Sequence, residues 1–372
     1  MSDLKSNAKS YIFLACNSIF QVAETFTFTL DELDHHDHDH GHNHQANLIA
    51  QIPMLKDHAR LDNCVTVIDA VNFDATFKTG DYLSDRFEAS GENDDRTVVH
   101  LMIDQIEFAN FIVLNKVDLV EPEVLGRIRN TLKRLNPVAE IYPTNYSNVP
   151  LSKILNTHQF NFFKAAQSSG WMQQLRGAEI VPETEEYGIS SFIYHKHRPF
   201  VPRKLYDLMK NNFLLQVRTD GKKVEEKQFL GDSVKDGIAA RSAGPFANVL
   251  RSKGFMWSAT RPFNMQEWSQ AGAILVLQNA GPWFWSLDPS EWIGYDESVI
   301  KKKFSEDKDI GDRRNEIVFI GSFDENDRDE IKRALDSCLV TDEQFRTIIK
   351  EGFDPTIQSD DPFVNWFSTF VM

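Results

Sequence analysis

Residues Phe111 to Val120 read FIVLNKVDLV, an apolar run that breaks off into Asn115-Lys116-Val117-Asp118. A short apolar run of this kind is the pattern of a buried parallel strand, so the four residues fall in the loop at its C-terminal end. A carboxylate there, Asp118, can accept two hydrogen bonds side by side from the N1–H and exocyclic amine of guanine, which adenine cannot supply. Asn115 and Lys116 would brace the loop and flank the base. The other half of a nucleotide site, a G-x-x-x-x-G-K-[ST] loop to cradle phosphates, occurs nowhere in the 372 residues.

Outward from this strand the rhythm continues on both sides. Cys64 to Val71 and Ala139 to Thr144 are β-like runs, separated from the central one by helical patterns at Thr97 to Ala109 and Pro122 to Leu135. The alternation β-α-β-α-β predicts an α/β fold with a doubly wound parallel sheet, whose binding loops lie at the C-terminal ends of the strands. Asp69, Asn115 to Asp118, and Thr144 to Asn145 fall at or just after such ends. Three strands alone leave edges and faces uncovered, and residues 1–60 hold too little strand and helix pattern to complete them. The expectation is an incomplete nucleotide-binding domain over residues 1–156.

A polar connector follows at 157–186, and a new rhythm at 187–345. Ile189 to His197 reads as a strand, Pro202 to Asn211 as a helix opened by proline, Val249 to Ala259, Ala273 to Asn279 and Glu316 to Ser322 as strands, and Asp327 to Leu339 as a helix. This order predicts a smaller α+β domain with helices on one face of a mostly antiparallel sheet, and a tail over 346–372. Thr219 to Gly244, rich in Lys, Asp, Glu and Gly, reads as a solvated insertion. The aromatic run PWFWSLDPSEW, Pro282 to Trp292, reads as core or a domain seam, with a docking patch as the alternative.

A formal charge of -15 argues against nucleic-acid and anionic-membrane partners, which demand a basic face, and favours metal cations. The three cysteines, Cys16, Cys64 and Cys338, form no C-x-x-C pair and suggest neither a disulfide framework nor a thiolate zinc site. The apolar stretch YIFLAC near the N-terminus is too short for a signal peptide, and no stretch approaches the roughly 20 apolar residues of a spanning helix. The expected setting is cytoplasmic.

Residues 31–44 read DELDHHDHDHGHNH and hold six of the eleven histidines: His35, His36, His38, His40, His42 and His44. Imidazoles suit zinc and its first-row neighbours, and Asp34, Asp37 and Asp39 add oxygen donors and negative potential. In an extended chain alternate residues sit about 6.7 Å apart, so the segment must curl to bring several ligands within reach of one ion. Several weak, exchangeable sites are expected rather than one rigid catalytic site. His195 and His197, two apart on a predicted strand, share one face of it and read as surface or packing residues.

With these pieces placed, the chain resembles the CobW-type GTPases, the metallochaperone group that includes the zinc-regulated metalloprotein activators. The blocks that carry the likeness are QVAETF at Gln21 to Phe26, ARLDNCVTVIDAVNF at Ala59 to Phe73, DQIEFANFIVLNKVDLV at Asp104 to Val120, and LNPVAEIYPTNYSNVPL at Leu135 to Leu151. KGFMWSATRP at Lys253 to Pro262 and GDRRNEIVFIG at Gly311 to Gly321 look like the family's second domain. The resemblance implies GTP and a divalent metal, commonly zinc, as ligands, and a client metalloprotein as partner. It implies that Asn115, Lys116 and Asp118 contact guanine and that Thr144 supports the base from the next loop.

The family's P-loop, Cys-x-Cys-Cys motif and E-x-x-G segment are not found in these residues, so the chain reads as N-terminally truncated, and GTP hydrolysis by it alone is not expected. Mg is expected only with an upstream P-loop. The leading expectation is a GTP-dependent metal chaperone; the alternatives are a GTP-independent metal buffer or adaptor, and a non-functional fragment.

Overall fold

The computed structural model describes residues 23, 26, 58–81, 97–175, 188–217, 244–292 and 297–363. The histidine tract at 31–44, and all of the charged insertion except Gly244, lie outside the described residues.

Three parallel strands, β1 (Val65–Asp69), β2 (Phe111–Asn115) and β3 (Glu140–Thr144), lie side by side in chain order. Helices α1 (Phe73–Lys78), α2 (Val98–Phe108) and α3 (Pro122–Leu135) fill the connections. Proline stands at the first position of α3, where a missing amide costs nothing. The Thr97 side chain caps α2 by accepting from the His100 amide. At the other end of α2, where helix carbonyls run out of amides one turn on, Asn136 Nδ2 donates to the carbonyls of Ile106, Glu107 and Ala109.

Among the described residues the three helices put their apolar sides on one face of this sheet. Phe73, Phe77, Val99, Ile103, Ile106, Ile128, Leu132 and Leu135 pack with Ile68, Ile112 and Leu114. Alternate residues of β1 face the other way, and Val65 and Val67 remain 39% and 58% exposed.

After the short helices α4 (Phe162–Ala165) and α5 (Gly170–Leu175) comes a six-stranded sheet. Its strands are β4 (Ile189–Lys196), β5 (Leu214–Val217), β6 (Val249–Met256), β7 (Asn264–Ala271), β8 (Ile274–Pro282) and β9 (Asn315–Ser322), in the order β4-β9-β6-β7-β8-β5. Every pairing is antiparallel except β5 with β8. Helices α6 (Pro202–Lys210), α7 (Glu297–Lys301), α8 (Glu325–Asp336), α9 (Asp342–Glu351) and α10 (Pro355–Gln358) complete the described elements.

Strand β9 shows how the two halves of the chain are joined. Ile317 and Phe319 point to a core shared with Leu205 and Met209 of α6 and Ile331 and Leu335 of α8. Val318 and Ile320 point the opposite way, into the same cluster as Ile112, Leu114 and the helices of the first sheet. The period-2 alternation of one strand thus feeds two cores. Burying side chains of this size contributes about 1.5–3 kcal/mol each.

The β7–β8 turn reaches furthest across the seam. Gly272 has φ +54, as a two-residue hairpin turn requires, and backs onto the Phe77 carbonyl. His100 Nε2 lies 3.3 Å from the Ser269 carbonyl oxygen. A buried ion pair, Arg251 with Glu107, completes the contact.

Several elements differ from expectation. Strands β5 and β7 have no counterpart in the expected order. Helix α8 starts at Glu325 rather than Asp327, because Asp324 forms a capping box with Asp327. Residues expected as a tail from 346 include most of α9, and beyond it Phe363 is buried and Asp361 pairs with Arg261. In the aromatic run, Trp283 and Trp292 are buried, the first beside Trp257 and Ile310.

Candidate functional site

Register alone brings the three loops of interest to one level. Asp69 is opposite Asn115, and Asn115 is opposite Thr144, so all three strands end together. The Ala70 amide donates to the Asn115 carbonyl at 3.0 Å, extending the ladder by one step.

Beyond Asn115 the chain turns sharply. Lys116 has φ 62, a left-handed conformation that is uncommon for a residue with a β-carbon and that concentrates at functional sites. Its ammonium meets Asp69 Oδ2 at 2.7 Å. Asp69 also accepts from the Val71 amide and from Asn72 Nδ2. Burial pushes the Asp69 carboxyl up, but these hydrogen bonds and the Lys116 charge outweigh it and hold the group below the ordinary carboxylate value.

Two asparagines hold the site from opposite sides. Asn115 Oδ1 accepts from the Ser147 amide at 2.9 Å, so the first loop grips the second. Asn145 Oδ1 accepts from the Asp118 amide at 3.2 Å, so the second grips the first. The second loop is shaped for this by left-handed Tyr146 and Ser147, with φ 52 and 53. Thr144 is buried, and its hydroxyl closes the loop by donating to the Asn148 carbonyl at 2.8 Å.

The crossed bonds leave the Asp118 carboxylate exposed, and it accepts no hydrogen bond from the described residues. An acceptor pair fixed through its own backbone and open to solvent suits a ligand with two adjacent N–H donors, and the guanine edge has that pattern. The Lys116 side chain is tethered at its tip to Asp69.

The structure therefore brings Asn115, Lys116, Asp118 and Thr144 together. Sequence reasoning placed Asp69 and Asn145 at strand ends without giving them roles, and it passed over Ser147. The predicted metal ligands, His35, His36, His38, His40, His42, His44, Asp37 and Asp39, lie outside the described residues. Among the described residues no group of three or more His, Cys, Asp or Glu side chains could hold a metal ion. Cys64 and Cys338 are buried, and burial pushes the Cys338 thiol up to about 11. No helix among the described residues is long and apolar enough to cross a membrane.

A family model described as "CobW/HypB/UreG, nucleotide-binding domain" matches residues 40–143, and one described as "Cobalamin synthesis protein cobW C-terminal domain" matches residues 189–339. The chain is 35% identical over 364 residues to zinc-regulated GTPase metalloprotein activator 1 of Dictyostelium discoideum, covering 96% of this chain and 66% of that protein. Against the protein of the same name from Schizosaccharomyces pombe it is 32% identical over 103 residues, 27% of this chain and 21% of that one. Among solved structures, the Zn(II)-bound YjiA GTPase from E. coli matches at a TM-score of 0.28 and 16% identity, covering 83% of this chain and 74% of that one.

An α/β half that matches the CobW/HypB/UreG model, joined to a half that matches the CobW C-terminal model, is the class these features define. The chain belongs to the CobW family. It spans 66% of the length of the Dictyostelium relative.

Proposed function

We propose that this chain acts in a GTP-dependent metal chaperone, with zinc as cargo and a metalloprotein as client. The observation that carries the reading is the crossed bracing of the two loops, which leaves Asp118 as a fixed and open acceptor pair. In this reading Asp118 takes the N1–H and exocyclic amine of guanine, Lys116 flanks the base, and Asn115, Thr144 and Asn145 hold the loops. Zinc is gathered by the histidine tract at 31–44 and passed on. No P-loop pattern occurs in the 372 residues, so Mg enters this reading only together with an upstream P-loop.

Family membership supports the reading, as does the name of the Dictyostelium relative. The setting we propose is cytoplasmic, in keeping with three cysteines that form no C-x-x-C pair.

The test uses guanosine against adenosine, because the described contacts reach only the base. In saturation-transfer NMR, guanosine should bind and adenosine should not, and Asp118→Ala should remove the difference. Hydrogen bonds to a charged group contribute about 1.5–3 kcal/mol, so a roughly 10- to 100-fold loss is expected. Equal binding of the two nucleosides would overturn the guanine assignment. Zinc uptake that is unchanged when residues 34–44 are deleted would overturn the cargo assignment.

A further inference from the structure

Outside the nucleotide loops, the cluster with the clearest chemistry is on β4, an edge strand of the six-stranded sheet. His195 and His197 project from the same face of this strand. Alternate residues on a strand are about 6.7 Å apart, yet the two imidazole centroids are 4.8 Å apart, with the rings at 80° to one another. The rings lean together instead of standing in parallel.

One of them is oriented from behind. His197 Nδ1 lies 3.1 Å from the backbone carbonyl oxygen of Arg313. A carbonyl only accepts, so Nδ1 carries the proton and, in the neutral ring, the lone pair sits on Nε2. Metal-binding imidazoles are held in this way, with one nitrogen donating to a carbonyl and the other facing the ion. His195 is exposed, and no described residue hydrogen-bonds its ring nitrogens, so its ring is free to rotate toward a shared ion. Glu316 stands across the ladder from His195, with Oε2 taking both contacts from Arg314 at 2.9 and 2.7 Å.

We propose that His195 and His197 form a two-imidazole site for a divalent first-row transition ion of the zinc, nickel, cobalt or copper class. Tetrahedral coordination needs two nitrogens roughly 3.3 Å apart, each about 2 Å from the ion, and rotation of the exposed His195 ring supplies that convergence. Water fills the remaining positions. Two protein ligands with open positions make an exchange site rather than a structural one. The site is separate from the histidine tract and does not depend on the nucleotide reading.

The test uses the full chain with the six tract histidines changed to asparagine, titrated with zinc ion alone by calorimetry. One ion per chain should bind. His195→Gln and His197→Ala should each weaken binding roughly 10-fold or more while leaving the thermal unfolding midpoint in place. In long-range 1H–15N spectra, zinc should move the His197 Nε2 resonance while Nδ1 keeps its proton. Titration curves unchanged by either substitution, or imidazole resonances unmoved at saturating zinc, would overturn the assignment.

Discussion

Arg251 on β6 and Glu107 on α2 face one another across the seam as a two-pronged ion pair, Nε to Oε1 at 3.0 Å and the terminal nitrogen to Oε2 at 3.3 Å. Arg251 is fully buried, and its remaining nitrogen donates to Ser269 Oγ and the Gln270 carbonyl. Removing one partner strands the other charge away from water. Glu107→Ala should therefore cost about 3–5 kcal/mol in urea unfolding, as should Arg251→Ala. The double change Arg251→Met with Glu107→Leu should recover much of that loss. Additive losses would show that the pair is not coupled.

The crossed asparagines make a second prediction. Asn115→Ala releases the Ser147 amide without touching Asp118, and loss of a neutral hydrogen bond is worth about 1 kcal/mol. Guanosine affinity should fall roughly 5-fold, and hydrogen exchange at the Ser147 amide should quicken. Exchange at that amide as slow as in the parent would refute the brace.

Asp69 gives the site a defined acid limit. Its carboxyl is held below the ordinary 3.8 in the folded chain, so the unfolded state takes up the proton first as pH falls. The stability Asp69 contributes is whole above 3.8 and drains away as pH drops through the lower folded value. The difference in unfolding free energy between the parent and Asp69→Asn should be flat from pH 8 to about 5 and shrink below 4. A difference that changes between pH 6 and 8 would contradict this.

Gly272 tests the seam sterically. A β-carbon there would sit 2.2 Å from the Phe77 carbonyl oxygen and 3.2 Å from Val99 Cγ2, at a φ that side chains disfavour. Gly272→Ala should destabilise the chain by about 1–3 kcal/mol in chemical denaturation. A change within 0.5 kcal/mol, the ordinary range for surface substitutions, would mean that the turn does not press on α1.

Some of this architecture was open to reading and some was not. The helix at Pro122–Leu135 was legible because proline marks its start and the apolar residues recur at helical spacing. Strand β7, NMQEWSQA, was hidden because its inward positions include Gln266 and Gln270. These amides find backbone carbonyls at Asn264 and Gly272, a pairing that no periodicity rule anticipates. Helix α9 did announce itself, through Thr341 and Gln344 in a capping box, and that signal was missed.

At the candidate site, spacing and chemistry single out Asn115, Lys116 and Asp118, and the structure places them at the end of β2 and in the loop after it. The brace from Asn145 and Ser147 was not legible, since it depends on left-handed backbone at residues that are not glycine. Arg251 and Glu107 are 144 residues apart and could be matched only in three dimensions.

Strand β9 is a party wall, with Val318 and Ile320 furnishing one room and Ile317 and Phe319 the other. A chimera that takes one half of this chain and one half of a relative inherits a wall cut for someone else's furniture. It should fold well only when the β9 side chains facing the transplanted half travel with it.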